Sequence, residues 1–140
     1  MVILSIGGNL GDVSRAFDTA LQGLANAGFR VTRVSNPLRN PAVGCEEGAP
    51  DFWNWAVAGE WDGTPEELLQ ITQSLEVALG RPKDHPHWHS RTLDIDIIAC
   101  NHEIRNTHTL TLPHPRWKER PFVTLPLQEI LSPEELKEQF

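Results

Sequence analysis

The segment Arg91-Thr92-Leu93-Asp94-Ile95-Asp96-Ile97-Ile98 alternates apolar and acidic residues. Alternate residues of a strand share a face, so Leu93, Ile95 and Ile97 point into a core while Asp94 and Asp96 point the other way. The two carboxylates would stand roughly 6–7 Å apart along the strand. At that spacing they repel each other unless cations sit between them. Hard oxygen ligands of this kind suit Mg²⁺, which keeps several waters and binds phosphates beside one or two carboxylates. Two such ions could clamp a polyphosphate and neutralise charge as a phosphoryl group moves. The plainer reading is an exposed strand face with two solvated aspartates. Aspartate is unfavourable in strands, and two of them in one short apolar strand favour the metal reading.

Cations surround this pair in the sequence. Arg91 precedes it, Arg81 and Lys83 lie thirteen and eleven residues before Asp94, and His114, Arg116 and Arg120 follow. Arginine offers a rigid fork matched to phosphate oxygens, and histidine can donate or accept near neutral pH. No G-x-x-x-x-G-K-S/T loop is present, and the run from Gly7 to Gly11 is not G-x-G-x-x-G. Any polyphosphate would therefore be held by side-chain cations and metal rather than by a glycine cradle. His85-Pro86-His87-Trp88-His89 imitates a metal site but lacks a fourth ligand, and its prolines favour a mobile loop tipped by Trp88 that acts as a lid. His102 and His108 read as turn residues. Phe52 and Asn54 fall on one face of a strand, with Trp53, Trp55 and Val57 on the other. An aromatic beside an amide can hold a flat heterocycle by stacking and edge hydrogen bonds, and Phe122 supplies a second ring. Spacing alone leaves ordinary core packing equally open.

The elements that would position these residues follow from periodicity. Residues 2–6 read as a buried strand, 7–12 as a turn, and 13–27 as an amphipathic helix stopped by Gly28. A strand over 30–35 and a proline-broken loop over 36–50 lead to a strand over 52–60. Thr64-Pro65-Glu66-Glu67 opens a helix through a capping box, with Leu68, Ile71, Leu75 and Leu79 as its apolar stripe and Gly80 as its stop. A polar loop over 82–91 precedes the strand over 92–99. Asn101-His102 turns toward a short return strand near Ile104, and Ser132-Pro133-Glu134-Glu135 starts a last helix. This β-α-β-β-α-β order implies an α+β sandwich, a mainly antiparallel sheet with helices on one face.

The 140 residues (15.7 kDa, 39% apolar) suit a single domain over 1–140. No apolar run reaches the roughly 20 residues needed to cross a bilayer, and residues 1–6 do not resemble a secretion signal. Cys45 and Cys100 are isolated, which points to a reduced, cytoplasmic setting. The net charge is −7, but residues 81–120 carry +2 and the remainder −9. Such an acidic chain is a poor nucleic-acid binder, whereas one cationic segment could hold a small anion.

Six runs occur together and in order: Gly7-Gly8-Asn9-Leu10-Gly11-Asp12, Asn40-Pro41-Ala42-Val43-Gly44, Asp51-Phe52-Trp53-Asn54, Glu76 with Gly80-Arg81, Trp88 with Arg91 to Asp96, and Leu112-Pro113-His114-Pro115-Arg116 with Arg120-Pro121-Phe122. In this the chain resembles the 6-hydroxymethyl-7,8-dihydropterin pyrophosphokinase family of folate biosynthesis, from about residue 3 to residue 130. The resemblance implies a ferredoxin-like fold and a reaction that moves the β,γ-pyrophosphoryl group of ATP onto the pterin hydroxymethyl group, releasing AMP. It implies that Asp94 and Asp96 bind two Mg²⁺ ions and that Arg81, Lys83, Arg91, His114 and Arg120 hold phosphates. Gln73, Glu76, Ile97 and Thr111 would line the nucleotide side. Phe52 and Phe122 would sandwich the pterin, Asn54 and the backbone near Val43 would read its edge, and Trp88 would close over both substrates. Partners would be these small molecules alone, with no nucleic acid and no membrane, and the protein a monomer. Gly8, Asn40, Phe52, Lys83 and His89-Ser90 depart from the family's usual Ser, Thr, Tyr, Arg and Gly-Pro. Two other readings use the same residues: a pterin-binding relative without turnover, and a Mg²⁺-dependent phosphohydrolase.

Overall fold

The computed structural model describes residues 1–9, 12–40, 51–80 and 93–140. Four strands form its main sheet in the order β2 (Arg30–Val34), β4 (Phe52–Glu60), β1 (Val2–Gly8) and β5 (Asp94–Cys100), and the short β3 (Leu38–Asn40) also pairs with β4. Every pairing is antiparallel. β1 is buried along its whole length, as befits a central strand of near-continuous apolar sequence.

Two helices cover one face of the sheet. α1 (Val13–Asn26) starts where the Asp12 carboxylate accepts from the Arg15 N–H at 3.1 Å. α2 (Pro65–Ala78) starts with the expected reciprocal box between Thr64 and Glu67. Gly28 and Gly80, at φ +103° and +101°, take the left-handed conformation just past these helices, which an L side chain would resist. The alternate residues Val2, Leu4 and Ile6 of β1, Trp55 and Val57 of β4, and Ile95 and Ile97 of β5 meet Val13, Phe17, Ala20, Leu24 and Leu68 in one apolar core. Phe17 stacks on Trp55 with ring centroids 4.2 Å apart. Each large side chain buried there contributes about 1.5–3 kcal/mol.

The other face is not bare, which corrects the expectation of helices on one side only. α3 (Pro121–Ile130) packs Val123 and Leu127 on Ile3, Ala56, Ile98 and Ala99. A helix α4 (Pro133–Gln139) follows, opened by the Ser132–Glu135 box. The β1–β5 register shifts between Ile3 and Leu4, leaving Ile98 without a partner. This bulge lets Ile97 enter the first core and Ile98 the second. The return segment forms β6 (Arg105–Asn106), paired with β7 (Thr111–Leu112) in a separate two-stranded ribbon, and Ile104 stays exposed. A 3-10 turn over Trp117–Glu119 leads into α3. Among the described residues no helix is long and apolar enough to cross a membrane.

Candidate active site

α3 covers only one end of its face, and register decides what occupies the other end. Gly7 lies opposite Asn54 on β4 and opposite Asp94 on β5; Ser5 lies opposite Ala56 and Asp96. Directly opposed residues of antiparallel strands point to the same side. Asn54, Gly7 and Asp94 therefore form one row across three strands, and Ala56, Ser5 and Asp96 form the next. With strands about 4.8 Å apart, Asn54 and Asp94 stand about 10 Å from each other. Phe52 is two residues from Asn54 on the same face, with Asn40 of β3 opposite it. Asp94, Asp96 and Phe52 are half-buried and Asn54 is buried. The alternation expected for Asp94 and Asp96 is thus present: Ile95 and Ile97 are each 4% exposed in the first core, and the carboxylates face away from it.

Glu76 is a buried carboxylate on α2, and it accepts from the Ile95 N–H at 2.7 Å. β5 is the edge strand of the sheet. An outward N–H there must find a partner, and Glu76 supplies one between the two aspartates. Its carboxylate thus grips the strand that carries them. Gln73 sits on the same helix and is exposed, and Thr111 on β7 is half-buried. The Ile97 side chain lies in the core on the opposite face from Asp94 and Asp96, as the strand alternation predicts. Its backbone is what it can offer a ligand.

The cationic side of the site comes from the chain after β7. The His114 N–H donates to the Ile98 carbonyl at 2.8 Å, which ties this segment to β5. The Arg116 N–H donates to His114 Nδ1 at 3.3 Å. With Nδ1 accepting, the neutral ring carries its proton on Nε2. Burial lowers the His114 pKa from its usual value, and Arg120 and Arg116 lower it further, against an opposing pull from Asp94. The charges of Arg120, Arg116 and Asp94 are therefore all felt at the His114 ring. The Arg120 guanidinium lies 5.7 Å from the centre of the Phe122 ring. Arg120 is also the N-cap of α3, with no side-chain cap bond, so the partial positive charge of that helix end adds to its own.

The structure thus brings Phe52, Asn54, Asp94 and Asp96 onto one face and groups His114, Arg120 and Phe122 beside it. Val43, Arg81, Lys83, Trp88, Arg91 and the histidines at 85, 87 and 89 lie outside the described residues. Two features escape sequence reasoning. Gly7 sits between Asn54 and Asp94, visible only once register is known. The Asn40 amide nitrogen is buried without a hydrogen-bond partner among the described residues.

Comparison with known proteins gives a consistent result. The family model for 7,8-dihydro-6-hydroxymethylpterin-pyrophosphokinase matches residues 3–132. The chain is 40% identical over 128 residues to the 2-amino-4-hydroxy-6-hydroxymethyldihydropteridine pyrophosphokinase of Bacillus subtilis, covering 91% of this chain and 75% of that protein. It is 38% identical over 128 residues to the protein of the same name from Methylorubrum extorquens, covering 91% and 80%. A folate synthesis bifunctional protein of Arabidopsis thaliana is 32% identical over 135 residues, which are 96% of this chain and 28% of that longer protein.

Proposed function

The chain belongs to the 7,8-dihydro-6-hydroxymethylpterin-pyrophosphokinase family, and we propose the following division of labour among its residues. Its reaction is the ATP-dependent transfer of pyrophosphate to the hydroxymethyl group of 6-hydroxymethyl-7,8-dihydropterin, a step of folate biosynthesis that releases AMP. The observation that carries the residue assignment is the row Asn54–Gly7–Asp94. It joins a ring-holding end at Phe52 to a phosphate-holding end at Asp94, Asp96, His114 and Arg120. The span of about 10 Å suits a bicyclic ring with a short arm reaching toward a polyphosphate.

At the ring end, Phe52 and Phe122 offer faces for stacking, and the Asn54 carboxamide offers a donor and an acceptor in one plane. The unpartnered amide of Asn40, opposite Phe52, supports polar recognition there, because a buried donor without a partner costs about 1–3 kcal/mol until one is found. The backbone near Val43 reads the same edge, an assignment that rests on sequence alone.

At the phosphate end, Asp94 and Asp96 would hold Mg²⁺. Among the described residues no group of three or more His, Cys, Asp or Glu gathers into a cage. Two carboxylates, with phosphate oxygens and water for the remaining positions, match what Mg²⁺ takes. When bound, the metal neutralises charge on the polyphosphate. His114 presents its Nε2–H to a phosphate oxygen, since Nδ1 is engaged by the Arg116 N–H. Arg120 and the α3 N-terminus add positive charge, and Arg81, Lys83 and Arg91 extend it by sequence. Glu76 fixes the strand under the aspartates and borders the nucleotide with Gln73, Thr111 and the Ile97 backbone. The substrate hydroxyl oxygen then bonds to the β-phosphorus as the bond from that phosphorus to the α,β-bridging oxygen breaks; AMP leaves with the bridging oxygen, and the hydroxyl proton passes to water. These groups work by alignment and charge stabilisation. The compartment proposed is the cytoplasm, in keeping with isolated cysteines, and the working unit a monomer.

Mass spectrometry of a reaction with ATP, Mg²⁺ and the hydroxymethyl dihydropterin tests the reading. Pyrophosphorylated pterin and AMP in equal amounts are expected. ADP, or AMP formed equally well without the pterin, would overturn it.

A further inference from the structure

Gly7 stands where a strand gains nothing from glycine. Its φ is not in the left-handed region, where among the described glycines only Gly28 and Gly80 lie. Glycine inside a strand loosens it and leaves a gap in the packed face, so a glycine in ordinary extended backbone points to a need for space. The space is occupied. A Cβ built on Gly7 would stand 2.3 Å from Asn54 Oδ1 and 3.2 Å from Asn54 Cγ. The next nearest atom is the Trp53 carbonyl oxygen, at 3.2 Å, and no atom of Asp94 is among the three nearest. The Asn54 carboxamide therefore reaches over β1, its oxygen on the spot a side chain would fill. It is 7% exposed, and the bare α-carbon of Gly7 is the surface its carboxamide oxygen rests against.

We propose that Gly7 is a positioning residue for substrate recognition: its missing side chain lets the Asn54 carboxamide lie across the sheet, in line between Phe52 and Asp94, where the edge of the pterin ring passes. The inference rests on the pterin reading above and assigns it a further determinant. An alanine here collides with the amide and not with the phosphate-binding groups. A contact of 2.3 Å is relieved only if the amide turns about its broad χ2 torsion or the side chain changes its χ1 well, and either takes the donor and acceptor out of the row. Substrate would then meet a misaligned donor and acceptor. Two neutral hydrogen bonds correspond to about tenfold to a hundredfold in affinity. The described residues assigned to ATP lie on α2, β5, β7 and the segment after β7, and none of them is among the nearest atoms the alanine would meet.

Steady-state kinetics and calorimetry on four chains test this: unmodified, Gly7→Ala, Asn54→Ala and the double variant. Gly7→Ala is expected to raise the pterin KM and Kd at least about tenfold with ATP affinity unchanged. In the Asn54→Ala background the Gly7 change should add less than about twofold, because the two act as one unit. Unchanged pterin affinity in Gly7→Ala, or losses that multiply in the double variant, would overturn the proposal while leaving the pterin reading in place. Failure of the unmodified chain to bind pterin would overturn both. Should Gly7→Ala not fold, NMR of the unmodified chain decides. Through-space contacts from the Asn54 side-chain NH₂ to the Gly7 α-protons are expected, and their absence would refute the placement.

Discussion

The two faces of the sheet are built from the same strands and do opposite work. On the face under α1 and α2, Val2, Leu4, Ile6, Val57, Ile95 and Ile97 run without a polar interruption. On the other, Ile3, Ala56, Ile98 and Ala99 continue the apolar pattern only as far as α3 reaches. Beyond it the same strands carry Ser5, Gly7, Asn54, Asp94 and Asp96. A one-residue step along a strand thus separates groups that hold the fold from groups assigned to the chemistry. The proposed site sits where a helix stops short, on a floor packed from beneath.

The largest expected break between the two faces comes from Asp96→Ala. Turnover should fall at least about a thousandfold, as removal of a charge-stabilising group in a transfer site commonly does. The melting temperature should stay close to that of the unmodified chain, because Asp96 is only half-buried. An AMP-release assay beside a thermal melt reads both. Leu4→Ala, one residue from Ser5 but fully buried in the other face, should do the reverse. A loss of about 3 kcal/mol is expected in urea unfolding, with kcat per folded molecule unchanged.

Glu76 spans the comparison, since it belongs to the packing side but grips the strand of the aspartates. Glu76→Ala should cost about 1–3 kcal/mol by orphaning the Ile95 N–H, and should reduce kcat as well. Glu76→Gln retains an acceptor oxygen and should restore most of both. Equal damage from the two substitutions would show that the charge, not the hydrogen bond, matters.

The smallest effect concerns pH. His114 has a folded-state pKa below its usual value, from burial first and then Arg120 and Arg116. The unfolded chain therefore binds the proton more tightly. The stability this confers is fully present above the unfolded histidine value near 6.5 and is lost as pH falls through the lower folded value. Urea midpoints should fall from pH 7 toward acid, and His114→Gln should flatten that slope. An unchanged slope would mean that His114 is not the group responsible.

Much of this division can be read in the chain, and the reasons are local. A strand's period of two is rigid, so the alternation of Asp94 and Asp96 with Ile95 and Ile97 announces both faces of β5. Thr64-Pro65-Glu66-Glu67 and Ser132-Pro133-Glu134-Glu135 announce helix starts because capping uses neighbouring residues only. α3 is hidden by Pro126 within it and by the mostly apolar run Phe122 to Leu127, whose helical period is indistinct. β3 is hidden among prolines and is only three residues long. The role of Gly7 depends on register, which joins residues 7, 54 and 94, and no local pattern encodes that.

The central claim is that ring and polyphosphate lie along the Asn54–Gly7–Asp94 row. A crystal structure with the hydroxymethyl dihydropterin, Mg²⁺ and a non-hydrolysable ATP analogue tests it most directly. The account predicts the ring between Phe52 and Phe122 with its edge on Asn54, and the phosphates over Asp94, Asp96 and His114. Ligands seated elsewhere, as in the open groove between α1 and β2 lined by Asp18, Gln22 and Arg30, would contradict it.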